Sequence, residues 1–250
     1  MNKTSELEHF LSFIKSQTLP SEPTNSDESG FVRSVTISRQ SGCGARFFAE
    51  ELAAELEAQF PKGTRPWTVF DRNLAEVVLR DHQLPGRLAS FMPEDRVSQL
   101  SDLIENLFGL HPPTETLVRR TAETILRLAQ LGHAIIVGRG SNVITEHLPG
   151  MLHLRLVGSV EKRVGHLQQF DNLDKKDALK RMKREDEARR RYVKKYFGKN
   201  IGDPLLYHFV INTDRVTVEN AATMIGSFAL NSMVKARHAR QVPSPCLRTN

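Results

Sequence analysis

Two glycines stand close together between a predicted strand and a predicted helix, in a stretch that could bind phosphate. Residues 34–37 form a short apolar run that predicts a strand, and apolar residues recur at helical spacing from residue 47 onward. Gly42 and Gly44 lie in the small-residue turn between them. Glycines let such a turn curl, so that backbone N–H groups at the helix N-terminus point at an anion. The layout therefore predicts a phosphate-binding loop.

Two arginines, Arg39 and Arg46, flank this loop and could supply positive charge to a bound phosphate. The full Walker pattern, G-x-x-x-x-G-K-[ST], is absent, because Arg39 stands where the first glycine should be and Ala45 where the lysine should be. An ordinary strand-to-helix turn is therefore the alternative interpretation. Cys43 also lies in the loop, where a helix N-terminus could lower its pKa. The simpler alternative for Cys43 is a small loop residue without a redox role.

Further arginines follow two other predicted strands. Residues 67–70 predict a strand that ends at Asp71 and Arg72, and the continuous apolar strand 133–137 ends in a turn that carries Arg139. Parallel sheets bind ligands beyond the carboxyl ends of their strands, and the arginine fork suits phosphate oxygens. A polyphosphate site is therefore predicted at this edge. The alternative for Asp71 is a helix cap, which needs no ligand.

Strands and helices alternate along the chain. Further strands are predicted at 151–157 and 209–212, and further helices at 114–131, 161–170, 175–196 and 216–230. Such alternation implies an α/β fold in which a parallel sheet carries helices on both faces. We expect an N-terminal helix and flexible linker over residues 1–30, a folded domain over 31–232 and a loose basic tail over 233–250.

The composition fits one domain with tails. The chain has 250 residues with 39% hydrophobic content, which suffices for a substantial core. No apolar run approaches the roughly 20 residues that cross a membrane, and the N-terminus has no signal-peptide pattern. Two cysteines cannot build a disulfide framework or a zinc site by themselves. We therefore expect a soluble, cytoplasmic protein without a membrane partner.

The positive charge is concentrated in one segment. The formal net charge is +6, and residues 175–199 hold 12 Lys or Arg against 4 Asp or Glu, so the remainder of the chain is slightly negative. We interpret this segment as a mobile basic element that serves the phosphate site. A solvated helix face is the alternative, because Arg189, Arg190 and Arg191 are consecutive and spread around a helix.

A series of ordered motifs carries a resemblance to a known family. The first stretch reads Ile37-Ser38-Arg39-Gln40-Ser41-Gly42-Cys43-Gly44-Ala45-Arg46. Two strand ends read Phe70-Asp71-Arg72 and Val137-Gly138-Arg139-Gly140. The C-terminal third holds Asp186-x-x-Arg189-x-x-Tyr192, Tyr196-x-Gly198, Gly202-Asp203-Pro204-x-x-Tyr207 and Ile211-Asn212-Thr213. Over residues 35–227 these motifs resemble the cytidylate kinase-like family, a branch of the P-loop nucleoside monophosphate kinases whose first motif typically reads I-S-R-x-x-G-S-G-G-R.

The resemblance implies a three-layer P-loop NTPase-type sheet with a helical lid at about residues 175–204, and transfer of the γ-phosphoryl group of ATP to a cytidylate-like nucleoside monophosphate with Mg²⁺. The donor's phosphates would be held by Arg39, Gly42, Cys43, Gly44, Ala45 and Arg46. The acceptor would be bound by Asp71, Arg72 and Arg139. The catalytic residues would be Arg46 and, on the lid, Arg184, Arg189 and Arg190. The adenine would lie near Asn212 and Thr213.

Two departures from the relatives bear on this expectation. Cytidylate kinases proper carry an aspartate after the turn arginine, where this chain has Gly140, and the Walker lysine, where it has Ala45. The family's own pattern lacks that lysine too. Two other functions therefore stay open: a nucleotide-binding regulator without turnover, and a nucleic-acid-binding protein that uses the basic helix, although nucleic acid is the less expected partner.

Overall fold

The structure, a computed structural model, describes residues 12, 13, 16, 32–59, 65–71, 103, 107 and 116–241, with side chains for all of these except 116 and 233–241. This part of the chain contains five strands, β1 (Ser34–Arg39), β2 (Thr68–Phe70), β3 (Ala134–Val137), β4 (Met151–Val157) and β5 (Phe209–Asn212). They form one sheet in the order β2-β3-β1-β4-β5, and every neighbouring pair is parallel. The predicted parallel α/β sheet is confirmed.

Strand β1 lies at the centre of this sheet. Ser34 is in register with Ala134 of β3 on one side and with Met151 of β4 on the other. The side chains of β1 are buried from Ser34 to Ser38, as expected for a strand covered on both faces. Because β1 and β3 are parallel neighbours, the turns that follow them lie side by side at the carboxyl edge of the sheet.

Helices cover both faces of the sheet and give the fold three layers. They are α1 (Ala45–Gln59), α2 (Thr116–Leu131), α3 (Ser141–Ile144), α4 (Val160–Asp171), α5 (Lys175–Phe197) and α6 (Val218–Gln241). On one face Leu52 of α1 and Ile225 of α6 belong to the same buried cluster. On the opposite face Ile125 of α2 and Ile144 of α3 belong to a second cluster. The three-layer arrangement in the prediction is therefore confirmed.

Helices α4 and α5 form a hairpin with a small apolar core of its own. Val164 and Leu167 of α4 pack with Ala178 and Met182 of α5. The Asp174 carboxylate caps α5 by accepting a hydrogen bond from the Asp177 N–H at 2.8 Å, which satisfies one of the unpaired donors of the first turn. The cap at Asp174 therefore marks the start of α5. This helix contains most of the basic segment.

Most predicted elements have the observed bounds within a few residues. Strands β4 and β5 coincide with the predictions, whereas α6 ends at Gln241, beyond the predicted end at residue 230. The helix continues because the sequence has no glycine or proline between Gly226 and Pro243. Among the described helices, none has both the length and the apolar character that crossing a bilayer requires.

The N-terminal segment is described at only a few positions. Residue Phe13 packs edge-to-face on Phe70 at 5.1 Å between ring centroids and is buried. Apart from these positions, the predicted N-terminal helix and the linker before residue 31 lie outside the described residues. The end of the tail after residue 241 also lies outside them, so the predicted domain boundaries stay predictions.

Polar side chains on β1 and β4 face each other inside the sheet. Thr36 Oγ1 lies 2.8 Å from His153 Nδ1, and Arg155 Nη1 donates a hydrogen bond to Ser38 Oγ at 2.9 Å. Burial, followed by the neighbouring His208, lowers the pKa of His153 to about 4. This imidazole is therefore neutral in the folded protein at pH values where it is charged in the unfolded chain.

His153 should make the protein less stable in mild acid. Its pKa is about 6.5 in the unfolded chain, so the unfolded state binds the extra proton as the pH falls from about 6.5 to 4. The free energy of unfolding should therefore decrease over this range, by about 3 kcal/mol in total from this residue. Urea unfolding at pH 7 and pH 4.5 measures the loss. His153→Leu should reduce the pH dependence, and His147→Leu, at an exposed position, should not; an unchanged dependence in His153→Leu would contradict the assignment.

Candidate active site

The loop between β1 and α1 adopts a backbone conformation that favours glycine. Gly42 and Gly44 have φ angles of 83° and 67°, in the left-handed region that side chains disfavour. A Cβ atom at Gly42 would also collide with the backbone carbonyl of Arg163. Helix α1 begins directly after Gly44, so the loop leads into a helix N-terminus, where an anion is favoured.

A cleft with a volume of about 370 Å³ opens beside this loop, between the ends of β1 and β3 and helix α5. Three arginines from distant parts of the sequence line it: Arg39, Arg139 and Arg189. Its wall also includes Ser38, Asn142 and Tyr192. Clefts of this size accommodate small organic ligands. The structure therefore brings the predicted arginines of β1, β3 and the basic helix into one wall.

The turn after β3 is built from three consecutive residues with positive φ. Gly138, Arg139 and Gly140 have φ angles of 87°, 57° and 70°. A Cβ atom at Gly138 would collide with the guanidinium of Arg39, and one at Gly140 would lie 2.6 Å from the ring of Phe197. Holding a non-glycine residue such as Arg139 in this region costs about 1 kcal/mol or more. Such strain is concentrated at functional sites, which agrees with a binding role for Arg139.

The arginines give the cleft an excess of positive charge. The pKa of Arg39 is lowered to about 10, chiefly by burial and then by the positive charges of Arg189 and Arg139, while Asp71 and Glu185 oppose this shift. An anion placed among these guanidinium groups would relieve their repulsion. The electrostatics of the cleft therefore favour a phosphate-like ligand.

Helix α5 places two carboxylates against the glycine loop. Asp186 Oδ1 accepts a hydrogen bond from the backbone N–H of Ser41, and Glu185 Oε2 accepts one from the Ser41 hydroxyl, both at 2.7 Å. Arg163 contacts both Asp186 and Ser41. Its Nη1 lies 2.6 Å from Asp186 Oδ2 and donates a hydrogen bond to the Ser41 carbonyl oxygen at 3.2 Å. The glycine loop therefore binds two carboxylates of the protein itself, those of Asp186 and Glu185.

Glu185 is strongly stabilised in its ionised form. Burial alone would raise its pKa, but hydrogen bonds from Ser41, Arg181 and Arg189 lower the pKa to about 2. Arg189 donates to Glu185 at 2.9 Å and to Asp186 at 3.0 Å. Its guanidinium therefore lines the cleft while it is held by both carboxylates.

The structure does not bring the other predicted catalytic arginines to this cleft. Arg46 forms a surface ion pair with Glu50 at 2.9 Å, and 55% of its side chain is exposed. Arg184 is exposed on α5, and Arg190 pairs with Glu187 on the same helix. Because successive residues of a helix are rotated by about 100°, Arg184 and Arg190 do not lie on the same face of α5 as Arg189.

The residues predicted near the adenine lie at the end of β5, and one of them, Thr213, is close to Cys43 of the glycine loop. The Thr213 hydroxyl donates a hydrogen bond to the Val157 carbonyl at 3.2 Å, and Thr213 also acts on the pKa of the Cys43 thiol. Asn212 is exposed, and its Oδ1 accepts a hydrogen bond from the Asp214 N–H at 2.9 Å. Burial raises the pKa of the Cys43 thiol, which favours the interpretation as a small loop residue over a reactive thiol. Residue Cys246 lies outside the described residues.

The end of β2 contributes one described residue to this edge of the sheet. Asp71 follows Phe70 directly, is half-buried and acts electrostatically on Arg39. Its predicted neighbour Arg72 lies outside the described residues, as does the segment that a helix cap at Asp71 would begin. The carboxylate of Asp71 therefore stands close enough to the arginine wall to influence its charge.

Comparison with known proteins identifies the family. The sequence pattern of the cytidylate kinase-like family matches residues 34–215, which is most of the chain. This chain belongs to the cytidylate kinase-like family. The matched region runs from β1 to just beyond β5, so it contains the glycine loop, the arginine cleft and helix α5. Membership of the family supports a nucleotide kinase-like function.

Solved structures and curated proteins add the following. An uncharacterized protein from Eubacterium ventriosum is similar in fold, with a TM-score of 0.60 and 22% identity over 80% of this chain and 98% of that chain. A gluconokinase from Sinorhizobium meliloti aligns with a TM-score of 0.35 and 14% identity over 86% of this chain and 99% of that chain, a likeness too low to bear on function. Comparison with curated proteins gives no significant match.

Some residues that support the glycine loop or line the cleft lie outside the sequence motifs. Sequence reasoning does not single out Arg163, Glu185 or Asn142, although they support the loop or line the cleft. The proximity of Glu185 to the motif residue Asp186 is a signal for one of them. Arg163 and Asn142 carry no comparable signal, because their roles depend on how α4 and α3 pack against the sheet edge.

Removal of the Asp186 charge should destabilise the fold markedly. Asp186→Asn would leave Arg163, whose side chain is 7% exposed, as a buried charge without its carboxylate. We expect the free energy of unfolding to fall by about 3 kcal/mol, measured by urea unfolding. Glu187→Gln on the same helix is the matched control, because it breaks exposed pairs and should cost less than about 0.5 kcal/mol. Equal losses in the two variants would show that the Asp186 contacts are not structural.

Proposed function

We propose that this protein transfers the γ-phosphoryl group of ATP to a nucleoside monophosphate, with a cytidylate-like acceptor as the first candidate. The observation that carries the proposal is the glycine loop at the carboxyl edge of the sheet, which adjoins a cleft lined by Arg39, Arg139 and Arg189. Phosphoryl transfer needs alignment and neutralised charge more than covalent help. Backbone N–H groups and guanidinium groups supply both.

The proposal divides the site into a donor side and an acceptor side. The donor's phosphates bind the loop N–H groups of Gly42, Cys43, Gly44 and Ala45. Arg139, with Asp71 and Arg72 at the neighbouring strand end, binds the phosphate of the acceptor. The strained turn at Arg139 supports this assignment, because it holds this residue in the wall of the cleft. Thr213 and Asn212 border the donor's adenine.

The lysine that Ala45 replaces needs a substitute, and Arg39 is the better candidate. Its guanidinium lines the cleft and lies against Gly138, whereas Arg46 forms an exposed pair with Glu50. A guanidinium at the end of β1 can reach phosphate oxygens with two parallel hydrogen bonds. Arg39 therefore takes the charge-neutralising role in this proposal, and Arg46 a secondary one.

The residues beside the loop are compatible with Mg²⁺ bound mainly through nucleotide phosphates. Within the described residues no cluster of three or more His, Cys, Asp or Glu forms a metal cage. Mg²⁺ in such enzymes is usually held by substrate phosphates, water and one or two protein oxygens. The ion would be held by the Ser41 hydroxyl and the Glu185 carboxylate. In the free protein this hydroxyl donates a hydrogen bond to this carboxylate at 2.7 Å. When bound, the ion neutralises charge that develops on the phosphates.

Phosphate binding to the loop requires a rearrangement of α5 in this proposal. The Ser41 N–H and hydroxyl are engaged by Asp186 and Glu185. A donor phosphate that takes the Ser41 N–H displaces the Asp186 carboxylate, which is one of the two carboxylates that hold Arg189, and Arg189 then contacts the transferred group. The exposed Arg184 and Arg190 reach the phosphates only if the helix moves with the lid.

A second candidate function is a nucleotide-binding regulator without turnover. The observation that favours it is the contact of Ser41 with Glu185 and Asp186, which competes with phosphate, in a loop that has Ala45 in place of lysine. Incubation with ATP, Mg²⁺ and a panel of nucleoside monophosphates, followed by measurement of ADP, separates the two functions. The kinase proposal predicts acceptor-dependent ADP. Tight ATP binding with no acceptor-dependent ADP would favour the regulator.

Arg139→Ala should impair use of the acceptor without affecting the donor. Loss of a charge-assisted pair with the acceptor phosphate should lower kcat/KM for the monophosphate about 100-fold. The Kd for ATP, measured by calorimetry, should change less than about twofold, because in this proposal the donor binds the other side of the site. Arg191→Ala, an exposed arginine on α5, is the matched control and should change neither quantity. Equal loss of ATP binding in Arg139→Ala would mean that Arg139 serves the donor side.

A further inference from the structure

Two aromatic side chains of helix α4 form an accessible surface beside the glycine loop. The half-buried His166 imidazole lies against Gly44, because a Cβ atom at this glycine would be 3.1 Å from His166 Cε1. The Phe170 ring follows one helical turn later, with 4.6 Å between the two ring centroids, and Phe170 is 70% exposed. This aromatic ledge, formed by His166 and Phe170, therefore touches the loop at one ring and is open to solvent at the other.

The packing of the fold does not account for the ledge. The apolar core between α4 and α5 is formed on the α4 side by Val164 and Leu167, and neither ring of the ledge belongs to a buried cluster of the described residues. A single exposed phenylalanine is ordinary on a protein surface. Its pairing with a second ring that touches a predicted phosphate loop is not, and this combination points to a ligand.

The end of β5 meets α4 next to the same loop. The Ser159 N–H, at the start of α4, donates to the Asp214 carboxylate at 2.9 Å, and Lys162 Nζ donates to the Asp214 carbonyl at 3.2 Å. Thr213, one residue earlier, is close to Cys43 of the loop. Successive loop residues therefore contact the end of β5, at Cys43, and the aromatic ledge, at Gly44.

The chemistry of the ledge suits a nucleobase. Aromatic side chains stack on the faces of bases, an interaction worth about 1–3 kcal/mol per base. Helix α1 begins directly after Gly44, and its N-terminus favours a phosphate. Only the ribose separates the base of a nucleotide from its phosphates, so a base is within reach of a ring that touches the loop.

We propose that His166 and Phe170 bind the base of the phosphate donor by stacking. The inference rests on the proposed function, because it takes the loop to hold the donor's phosphates. The ledge contacts one face of the base, while Asn212 and Thr213 border its edge. Because larger rings bury more surface on the ledge, purine triphosphates bind more tightly than pyrimidine triphosphates.

Removal of either ring tests this role. His166→Ala and Phe170→Ala should each weaken the binding of ATP with Mg²⁺ about tenfold, measured by calorimetry. The affinity for inorganic tripolyphosphate, which has no base, should change less than about twofold. His166→Phe keeps a ring and should retain the affinity for ATP, whereas a contact of the imidazole with phosphate predicts that this variant loses affinity for both probes.

Phe228→Ala is the matched control, because Phe228 is also exposed and also contacts a second ring, that of Phe209, but lies on α6. It should change neither affinity. Equal weakening of ATP and tripolyphosphate in the two alanine variants of the ledge would overturn the proposal. Unchanged affinity for ATP in both would overturn it as well, and would leave the role of the loop intact.

A fluorescent variant tests the contact with the base directly. The chain has one tryptophan, the buried Trp67, so Phe170→Trp adds an accessible reporter. ATP should quench the added fluorescence by stacking, and tripolyphosphate should not. Saturation with ATP without quenching would contradict stacking at Phe170. If the unaltered protein binds neither ATP nor tripolyphosphate, the proposed function fails and this inference fails with it.

Discussion

The ion pair between Asp186 and Arg163 is the interaction on which the rest of the site depends. It is largely buried, and it joins three elements, because Arg163 comes from α4, Asp186 from α5, and both contact Ser41 in the glycine loop. The same carboxylate holds Arg189, which faces the cleft. A pair of this kind is costly to break but gives little net stability when intact, so its main effect is to fix geometry. It determines where α5 lies relative to the loop.

The site as a whole keeps its polar groups in a state that a ligand would improve. The guanidinium groups of Arg139 and Arg189 repel that of Arg39, and the backbone at Arg139 is strained. Proteins keep local departures from stability rules mainly where function requires them. These features therefore agree with one polyanionic ligand in the cleft.

The fold could be predicted from the sequence because its signals are local. The continuous apolar residues of β3, the glycines after β1 and the helical spacing of α2 each specify an element without reference to the rest of the chain. Parallel pairing follows from their alternation, so Arg39 and Arg139 could be expected at one edge. The contact between Ser41 and Asp186 could not be, because it joins residues 145 positions apart and depends on how the α4–α5 hairpin packs. For the same reason the sequence does not distinguish Arg189, which reaches the cleft, from Arg190, which does not.

The proposed function depends on the loop after β1, which must bind nucleotide phosphates although it has no lysine. The most direct measurement follows the backbone amide signals of isotope-labelled protein by NMR while ATP and Mg²⁺ are added. We expect the largest changes at residues 41–45, together with changes at Asp186, whose contact with Ser41 is replaced by phosphate, and at Arg189, which Asp186 holds. If nucleotide binds and the signals of residues 41–45 stay in place while others move, the loop is not the phosphate site, and the proposed role of the loop is wrong.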